Sequence, residues 1–316
     1  MVETVEILLS TYNGAQYLPE QLDSILEQDY KHWKLLIRDD GSNDDTVKMI
    51  EEYCQKYPEQ ITLLKDGEGN IGISASFRKL LNQSAANYVM FADQDDYWYP
   101  DKISTLLSVM LEKEVELPST AHVVFSDLEL ADAGLNILSS SFLQKTGYSS
   151  SRGNQIFFLK NYVPGCNMMF NRNLIQQALK TENIIGLHDY WLMLIACCVG
   201  CITFVPKSLA KYRLHNNNAI GFMKSNITTM QKLSLFVKDN LKYAFSNSSY
   251  RILLYSKNIE QVQNICSHLS PLVTKEALSF ASIDRSNYFS RKIKNITRPY
   301  LSEPSLLKRL TYIICF

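Results

Sequence analysis

Four short apolar runs, Val5–Ser10, Trp33–Arg38, Ile61–Lys65 and Tyr88–Ala92, recur through the first hundred residues with helix-length amphipathic stretches between them. Pro19–Gln28 places Leu22, Ile25 and Leu26 on one face, and Asp44–Tyr57 places Val47, Ile50, Tyr53 and Cys54 on one face, with Ser74–Gln83 as a third helix. Strands separated by helices of this length require right-handed crossovers, so the pattern predicts an α/β fold: a Rossmann-like, mainly parallel sheet flanked by helices. In such sheets ligands bind beyond the carboxyl ends of the strands. That rule directs attention to the residues following each run.

Those residues are polar. They read Ser10-Thr11-Tyr12-Asn13-Gly14, Asp39-Asp40-Gly41-Ser42-Asn43-Asp44-Asp45-Thr46, Asp66-Gly67-Glu68-Gly69-Asn70-Ile71-Gly72 and Asp93-Gln94-Asp95-Asp96. Asn-Gly and Asp-Gly are ordinary turn formers, and Ser42 or Asp44 can cap the next helix, so turn chemistry explains any one of the first three. It does not explain the fourth. Three carboxylates within four residues repel one another unless a cation holds them. Oxygen ligands of this kind suit Mg²⁺ or Mn²⁺, which keep positions open for water and phosphate and neutralise a diphosphate leaving group.

Beyond residue 115 the pattern loosens. His122–Asp127 is predicted as a strand, Leu128–Gly153 as a loop-rich passage and Gln155–Tyr162 as a short helix. Val163–Phe170 is predicted as a turn entering a strand, His188–Val199 as a helix and Ile202–Val205 as a strand, before a polar loop from Tyr212 to Gly221. Asp189, at a helix start, is a candidate acid or base. The seven cysteines include Cys198-Val199-Gly200-Cys201 inside an apolar run, with no second pair to complete a zinc site, which predicts buried thiols in a reducing compartment. The acidic start Met1–Glu6 does not resemble a signal peptide, and the longest uncharged stretch, Tyr190–Pro206, is shorter than the ~20 apolar residues of a spanning helix. A soluble cytoplasmic protein is the expectation, with contact at the inner face of the membrane left open.

Equal totals of 32 basic and 32 acidic residues conceal a division. Residues 1–221 carry 18 basic and 27 acidic side chains, whereas residues 222–316 carry 14 and 5. The tail is predicted to be helical over Ile227–Ser246, Tyr250–Leu269 and Val273–Asp284, and Tyr288–Phe316 interleaves basic with aromatic and aliphatic residues. This suits a surface lying on anionic lipid, at about 1 kcal/mol per basic group, which is the leading expectation, the alternative being a surface packed on the acidic body or between copies. No recognised nucleic-acid module accompanies the charge, so nucleic acid is not an expected partner.

Val5–Gly14, Arg38–Thr46 and Phe91–Trp98 resemble the three amino-terminal signatures of glycosyltransferase family 2. The likeness continues through Val163–Phe170, His188-Asp189-Tyr190-Trp191 and Tyr212–Asn218, where it is similar to bacterial rhamnosyltransferase-like members that build cell-wall and capsular polysaccharide. The resemblance implies a GT-A fold over residues 1–221, with 222–316 as a separate basic helical region. It also implies a metal-dependent inverting glycosyltransferase that moves a sugar such as L-rhamnose from a dTDP- or UDP-sugar to a saccharide acceptor, lipid-linked or free. Thr11, Tyr12 and Asp40 would hold the nucleoside, Asp93 the ribose and diphosphate side, and Asp95 and His215 the metal, with Asp96 nearby. Arg213 would contact phosphate, and Asp189 would act as the catalytic base. His188-Asp189 stands where many members have Glu-Asp, and His188 fits either packing or capping. Arg78 and Lys79 fit either the diphosphate or an exposed helix face, Trp98 and Trp191 are expected to pack beside the cleft, and Cys166 is expected to be buried. Transfer to a lipid phosphate carrier, or a non-catalytic nucleotide-sugar-binding scaffold, are the alternative readings.

Overall fold

The computed structural model describes residues 2–158, 161–181, 187–215 and 262–267, together with Glu260, Thr274, Lys275, Ala277 and Leu278. Two compact units divide the chain, Met1–Ser150 with Asn161–Asn216 and Ser151–Lys160 with Asn217–Phe316. In the first unit the opening pattern folds as β1 (Val5–Thr11), α1 (Leu18–Leu26), β2 (Trp33–Asp39), α2 (Thr46–Lys56), β3 (Ile61–Leu63), α3 (Ile73–Gln83) and β4 (Tyr88–Ala92). β5 (Tyr97–Trp98), α4 (Lys102–Glu116), β6 (Ala121–Ala131), β7 (Ile137–Ser139) and α5 (Phe142–Thr146) follow. Then come β8 (Met168–Asn171), α6 (Arg172–Leu179), α7 (His188–Val199) and β9 (Gly200–Arg213).

The nine strands of the described residues join one sheet in the order β3-β2-β1-β4-β8-β6-β9-β5, with β7 on β6. β1 pairs in parallel with β2 from Val5↔Trp33 to Thr11↔Asp39, and with β4 from Val5↔Tyr88 to Leu9↔Ala92. This register brings the ends of the first, second and fourth runs to one edge. Leu8, Leu9, Ile37, Val89, Met90 and Phe91 are wholly buried, as strands covered on both faces require. Ile25, Ile50, Phe77, Leu81 and Ile103, from α1 to α4, are likewise buried.

The sheet is more mixed than the sequence suggests: β8 runs antiparallel between β4 and β6. The strand predicted at His122–Asp127 reaches Ala131, and the one at Ile202–Val205 extends over Gly200–Arg213. The two pair in parallel from Ala121↔Gly200 to Ala131↔Arg213, with register shifts between Phe125 and Glu129, so the ladder carries β9 on through Ser208 and Lys211, where polarity masks a strand. The passage predicted to be loop-rich holds β7 and α5; Ser141 caps α5 by accepting from the Gln144 amide, and Gly147 ends it at φ 80°. α4 and α6, which the periodicity reading does not separate, add further helices, α6 being capped by the Asn171 side chain. In the second unit the helix expected at Gln155–Tyr162 is a short 3₁₀ turn over Asn154–Phe158.

α7 follows its predicted bounds and is buried from His188 to Cys198 except at Tyr190. A helix apolar on all sides is a core helix. Among the described residues, no helix is long and apolar enough to cross a membrane. Cys54, Cys166, Cys197, Cys198, Cys201 and Cys266 carry no disulfide. The predicted tail helices lie outside the described residues, save for helical positions within 260–267 and 275–278, where Val262, Ile265 and Ala277 are buried.

Candidate active site

Side chains lock the first two turns together. Asp39 accepts the Gly41 and Ser42 amides at 3.0 and 2.8 Å and the Thr11 hydroxyl at 2.9 Å, an Asx turn tied to the neighbouring strand. Asn13 adopts φ 47°, a left-handed conformation tolerated by Asn, and its Oδ1 accepts the Asn43 amide at 2.8 Å. Gln94 staples the turn from the fourth strand: its Oε1 accepts the Tyr12 amide at 2.8 Å and its Nε2 donates to the Tyr12 carbonyl at 3.0 Å. A Cβ on Gly14 would stand 2.3 Å from Gln94 Oε1, so only glycine admits that staple. Thr11 is buried and Tyr12 is exposed.

The third turn is organised by Arg38, a buried arginine closing an apolar strand. Its Nη1 donates to Asp40 at 2.6 Å and to Ser76 Oγ at 3.2 Å, its Nε to Asp66 at 2.8 Å and its Nη2 to the Gly69 carbonyl at 3.1 Å. Asp40 is buried beside it and accepts the Ile71 and Gly72 amides, both at 2.9 Å. The Arg38 guanidinium holds the Asp66 carboxyl down at about 2. The role of Arg38 is marked in sequence by one signal, a charge placed where the strand is otherwise apolar. Lys79 pairs with Glu68 at 2.5 Å, and Arg78 donates to the Thr181 carbonyl at 2.9 Å beneath the Trp191 ring, so both are engaged within the protein.

At the fourth turn the structure brings Asp95 and His215 together, Oδ2 to Nε2 at 2.7 Å, with 15% and 10% of their side chains exposed. Arg213 is buried, donating from Nε to the Asp95 carbonyl at 2.8 Å and from Nη1 to the Ala133 carbonyl at 2.5 Å, while its Nη2 pairs with Glu20. Its guanidinium covers Tyr17, whose ring also contacts His215. Arg213 therefore clamps the carboxylate turn by its backbone. Burial, and then repulsion from Asp95, push Asp93 up to about 7; burial also lifts the Asp96 carboxyl well above the ordinary range. Lys102, wholly buried over the Trp98 ring, is pulled down to about 8 by burial and tempers the negative cluster. Trp98, Trp191 and Cys166 are buried packing residues.

Asp189 lies in the first turn of α7. Its Oδ2 accepts the Gly165 amide at 3.1 Å and its Oδ1 the Tyr190 amide at 2.6 Å, yet burial pushes its carboxyl up to about 6. Its charge in turn raises Asp93, which places the two carboxylates in one field. His188 packs: it stacks on Phe77 with centroids 4.0 Å apart and meets the edge of Phe91, and burial drives it down to about 3, hence neutral. A Cβ at Gly165 would stand 3.1 Å from Asp189 Cβ and 3.2 Å from His188 Nε2. A carboxylate with a pKa near working pH, held by backbone amides, suits proton abstraction.

Among the described residues, two donor sets could receive a cation. Asp93, Asp96 and Cys166 offer atoms within 4.8 Å of one another, but burial keeps that thiol protonated, and thiolate suits softer ions. Asp95 with His215 offers partly exposed oxygen and nitrogen donors, which fit Mn²⁺ or Mg²⁺.

The model of the family described as Glycosyl transferase family 2 matches residues 6–179. TuaG of Bacillus subtilis strain 168, a glycosyltransferase provisionally assigned to teichuronic acid biosynthesis, is 27% identical over 259 residues, 80% of this chain and 95% of its own. The dTDP-rhamnosyl transferase RfbG of Shigella flexneri is 26% identical over 224 residues, 67% of this chain and 73% of its own. Among solved structures, the mannosyltransferase PcManGT from Pyrobaculum calidifontis in complex with GDP-Man and Mn²⁺ superposes with a TM-score of 0.54 at 14% identity, covering 98% of this chain and 85% of that one. TarS of S. aureus in complex with UDP gives 0.52 at 16% identity, over 94% of this chain and 77% of that one. These likenesses establish the GT-A fold.

Proposed function

Because the chain belongs to glycosyl transferase family 2, we propose that it moves a sugar from a nucleoside diphosphate to a saccharide hydroxyl by a single displacement with inversion, in polysaccharide biosynthesis. L-Rhamnose from dTDP is the donor favoured by the RfbG likeness. The observation that carries the reading is the convergence, in one unit, of the Asp93–Asp96 turn, the Asp95–His215 pair and a buried Asp189 whose charge reaches Asp93.

Thr11 and Tyr12 would face the nucleoside. Asp40, with both oxygens committed to Arg38 and to the Ile71 and Gly72 amides, would shape that pocket through the backbone it holds. Asp93 would face the ribose and diphosphate, Asp95 and His215 would hold Mg²⁺ or Mn²⁺, and Arg213 would fix the Asp95 backbone. A bound cation would neutralise charge on the departing diphosphate. Asp189 would take the acceptor proton as the hydroxyl attacks the anomeric carbon on the face opposite the leaving group. Residues 222–316 are proposed as a membrane-facing surface, tested by flotation of the full chain on anionic against neutral liposomes.

A binding and turnover panel of dTDP-rhamnose, UDP-GlcNAc and GDP-mannose, each with Mn²⁺ and with EDTA, tests the reading. Metal-dependent binding of one donor, with release of its nucleoside diphosphate, is expected. Binding of none would overturn it.

A further inference from the structure

At the opposite edge of the sheet, where β6 and β9 begin, His122 and Cys201 stand side by side in the parallel register. We infer that they form a thiol–imidazole pair that makes Cys201 a site of covalent modification by electrophiles, low-molecular-weight disulfides in particular.

The tautomer of His122 is fixed by its surroundings. The ring is wholly buried, and Nε2 lies 3.0 Å from the Leu117 carbonyl, which can only accept, so Nε2 carries the proton. Nδ1 is then the basic nitrogen. It is buried and makes no hydrogen bond in the resting geometry, and Cys201 is the register partner of His122 across the β6–β9 pair. Interaction with His122 foremost, then with Thr203 and Lys113, holds that thiol below the ordinary cysteine range, while Cys201 foremost raises the imidazole. Glu114 is the charged group that acts on His122 from α4. Cys201 is also partly exposed, unlike Cys166, Cys197 and Cys198. A partly exposed thiol in a basic setting is the arrangement that activates cysteine, whereas thiols buried in apolar surroundings stay inert.

The incoming disulfide is the oxidant: one of its sulfurs is reduced to a thiol as the Cys201 sulfur is oxidised. The thiol proton passes to Nδ1, the thiolate attacks one sulfur of the incoming disulfide, its S–S bond breaks as the new one forms, and the departing thiolate takes up a proton. The pair is remote from the carboxylate cluster. The His122 amide donates to Asn171 Oδ1 at 2.8 Å, and Asn171 pairs with Tyr88 at the start of β4, whereas Asp93 follows the end of that strand. α7, with Asp189 in its first turn, spans roughly 18 Å to the Gly200 junction at 1.5 Å per residue.

Limiting iodoacetamide, and separately oxidised glutathione, applied to the full chain at pH 7.0 with peptide mass spectrometry would test the pair. Cys201 is expected to react at least about tenfold faster than Cys166, Cys197 or Cys198, to form a glutathione adduct reversed by dithiothreitol, and to lose most of its rate in His122→Asn. The wild-type rate should level off below pH 8.5, the midpoint of an ordinary cysteine; this readout stands even where the variant does not fold. A Cys201 rate no greater than that of the buried thiols, or one that climbs through pH 9 as a free thiol does, would overturn the inference.

Discussion

Replacing Asp189 with Asn should make the protein more stable and nearly inactive. The carboxyl is 4% exposed, and burial lifts it from 3.8 to about 6, a cost of about 3 kcal/mol when ionised at 1.36 kcal/mol per unit. The amide keeps one carbonyl oxygen to accept from Gly165 or Tyr190, and its NH₂ cannot accept from the other, so one hydrogen bond is lost at a cost of about 1 kcal/mol. A net gain of about 2 kcal/mol corresponds to a Tm rise of ~4–8 °C for a unit of this size. The sign follows from the raised pKa. Below pH 3.8 the carboxyl is neutral folded and unfolded, so it costs nothing; the cost enters between 3.8 and about 6 and is complete above. Scanning calorimetry of the metal-free protein should therefore show the variant above wild type at pH 7.5, with the gap closing toward pH 4. Turnover should fall by about 10²–10⁴, the range for a lost general base, while donor binding persists. A variant that melts below wild type at pH 7.5, or turns over at the wild-type rate, would refute the argument from burial and the assignment of the base respectively.

Three further changes probe the supports of the site. Gly165→Ala drives a methyl to 3.1 Å from Asp189 Cβ and 3.3 Å from Phe91, which should cost about 1–3 kcal/mol by overpacking and lower kcat with little change in donor Kd. Arg38→Met strands the buried Asp40 carboxylate; chemical denaturation should show a loss of about 3–5 kcal/mol, and nucleotide binding should weaken as the Ile71–Gly72 backbone loosens. His215→Ala should weaken Mn²⁺ by at least tenfold in calorimetric titration with nucleoside diphosphate present, and unchanged affinity would remove His215 from the metal set.

The first hundred residues carry their own architecture because period-2 and period-3.6 patterns are local properties of the chain. The runs at Val5, Trp33 and Tyr88 fold nearly as their hydrophobicity dictates, and α7 keeps its bounds because it is apolar throughout. The polar turns were legible for the same reason, since a carboxylate-rich turn after a buried strand is conspicuous in sequence. What lay beyond reach depends on partners distant in the chain. β9 extends through Ser208 and Lys211 because β6 offers it a ladder, and backbone pairing is blind to side-chain polarity. Arg38 becomes the organiser of the third turn only when Asp40, Asp66 and Gly69 surround it, and Arg213 becomes a clamp on Asp95 only when β9 returns beside the fourth turn.

The sequence by itself determined which residues carry charge and which runs must be buried. Tertiary structure alone decided which charges are spent inside the protein and which remain for chemistry, because desolvation and pairing are set by neighbours that only the fold brings within hydrogen-bond reach. Asp39, Asp40, Asp93 and Asp189 are the same side chain, and sequence does not say which of them the fold commits to holding backbone. In the fold, the first two accept backbone amides and hold turns, while burial leaves the last two poised near neutral pH.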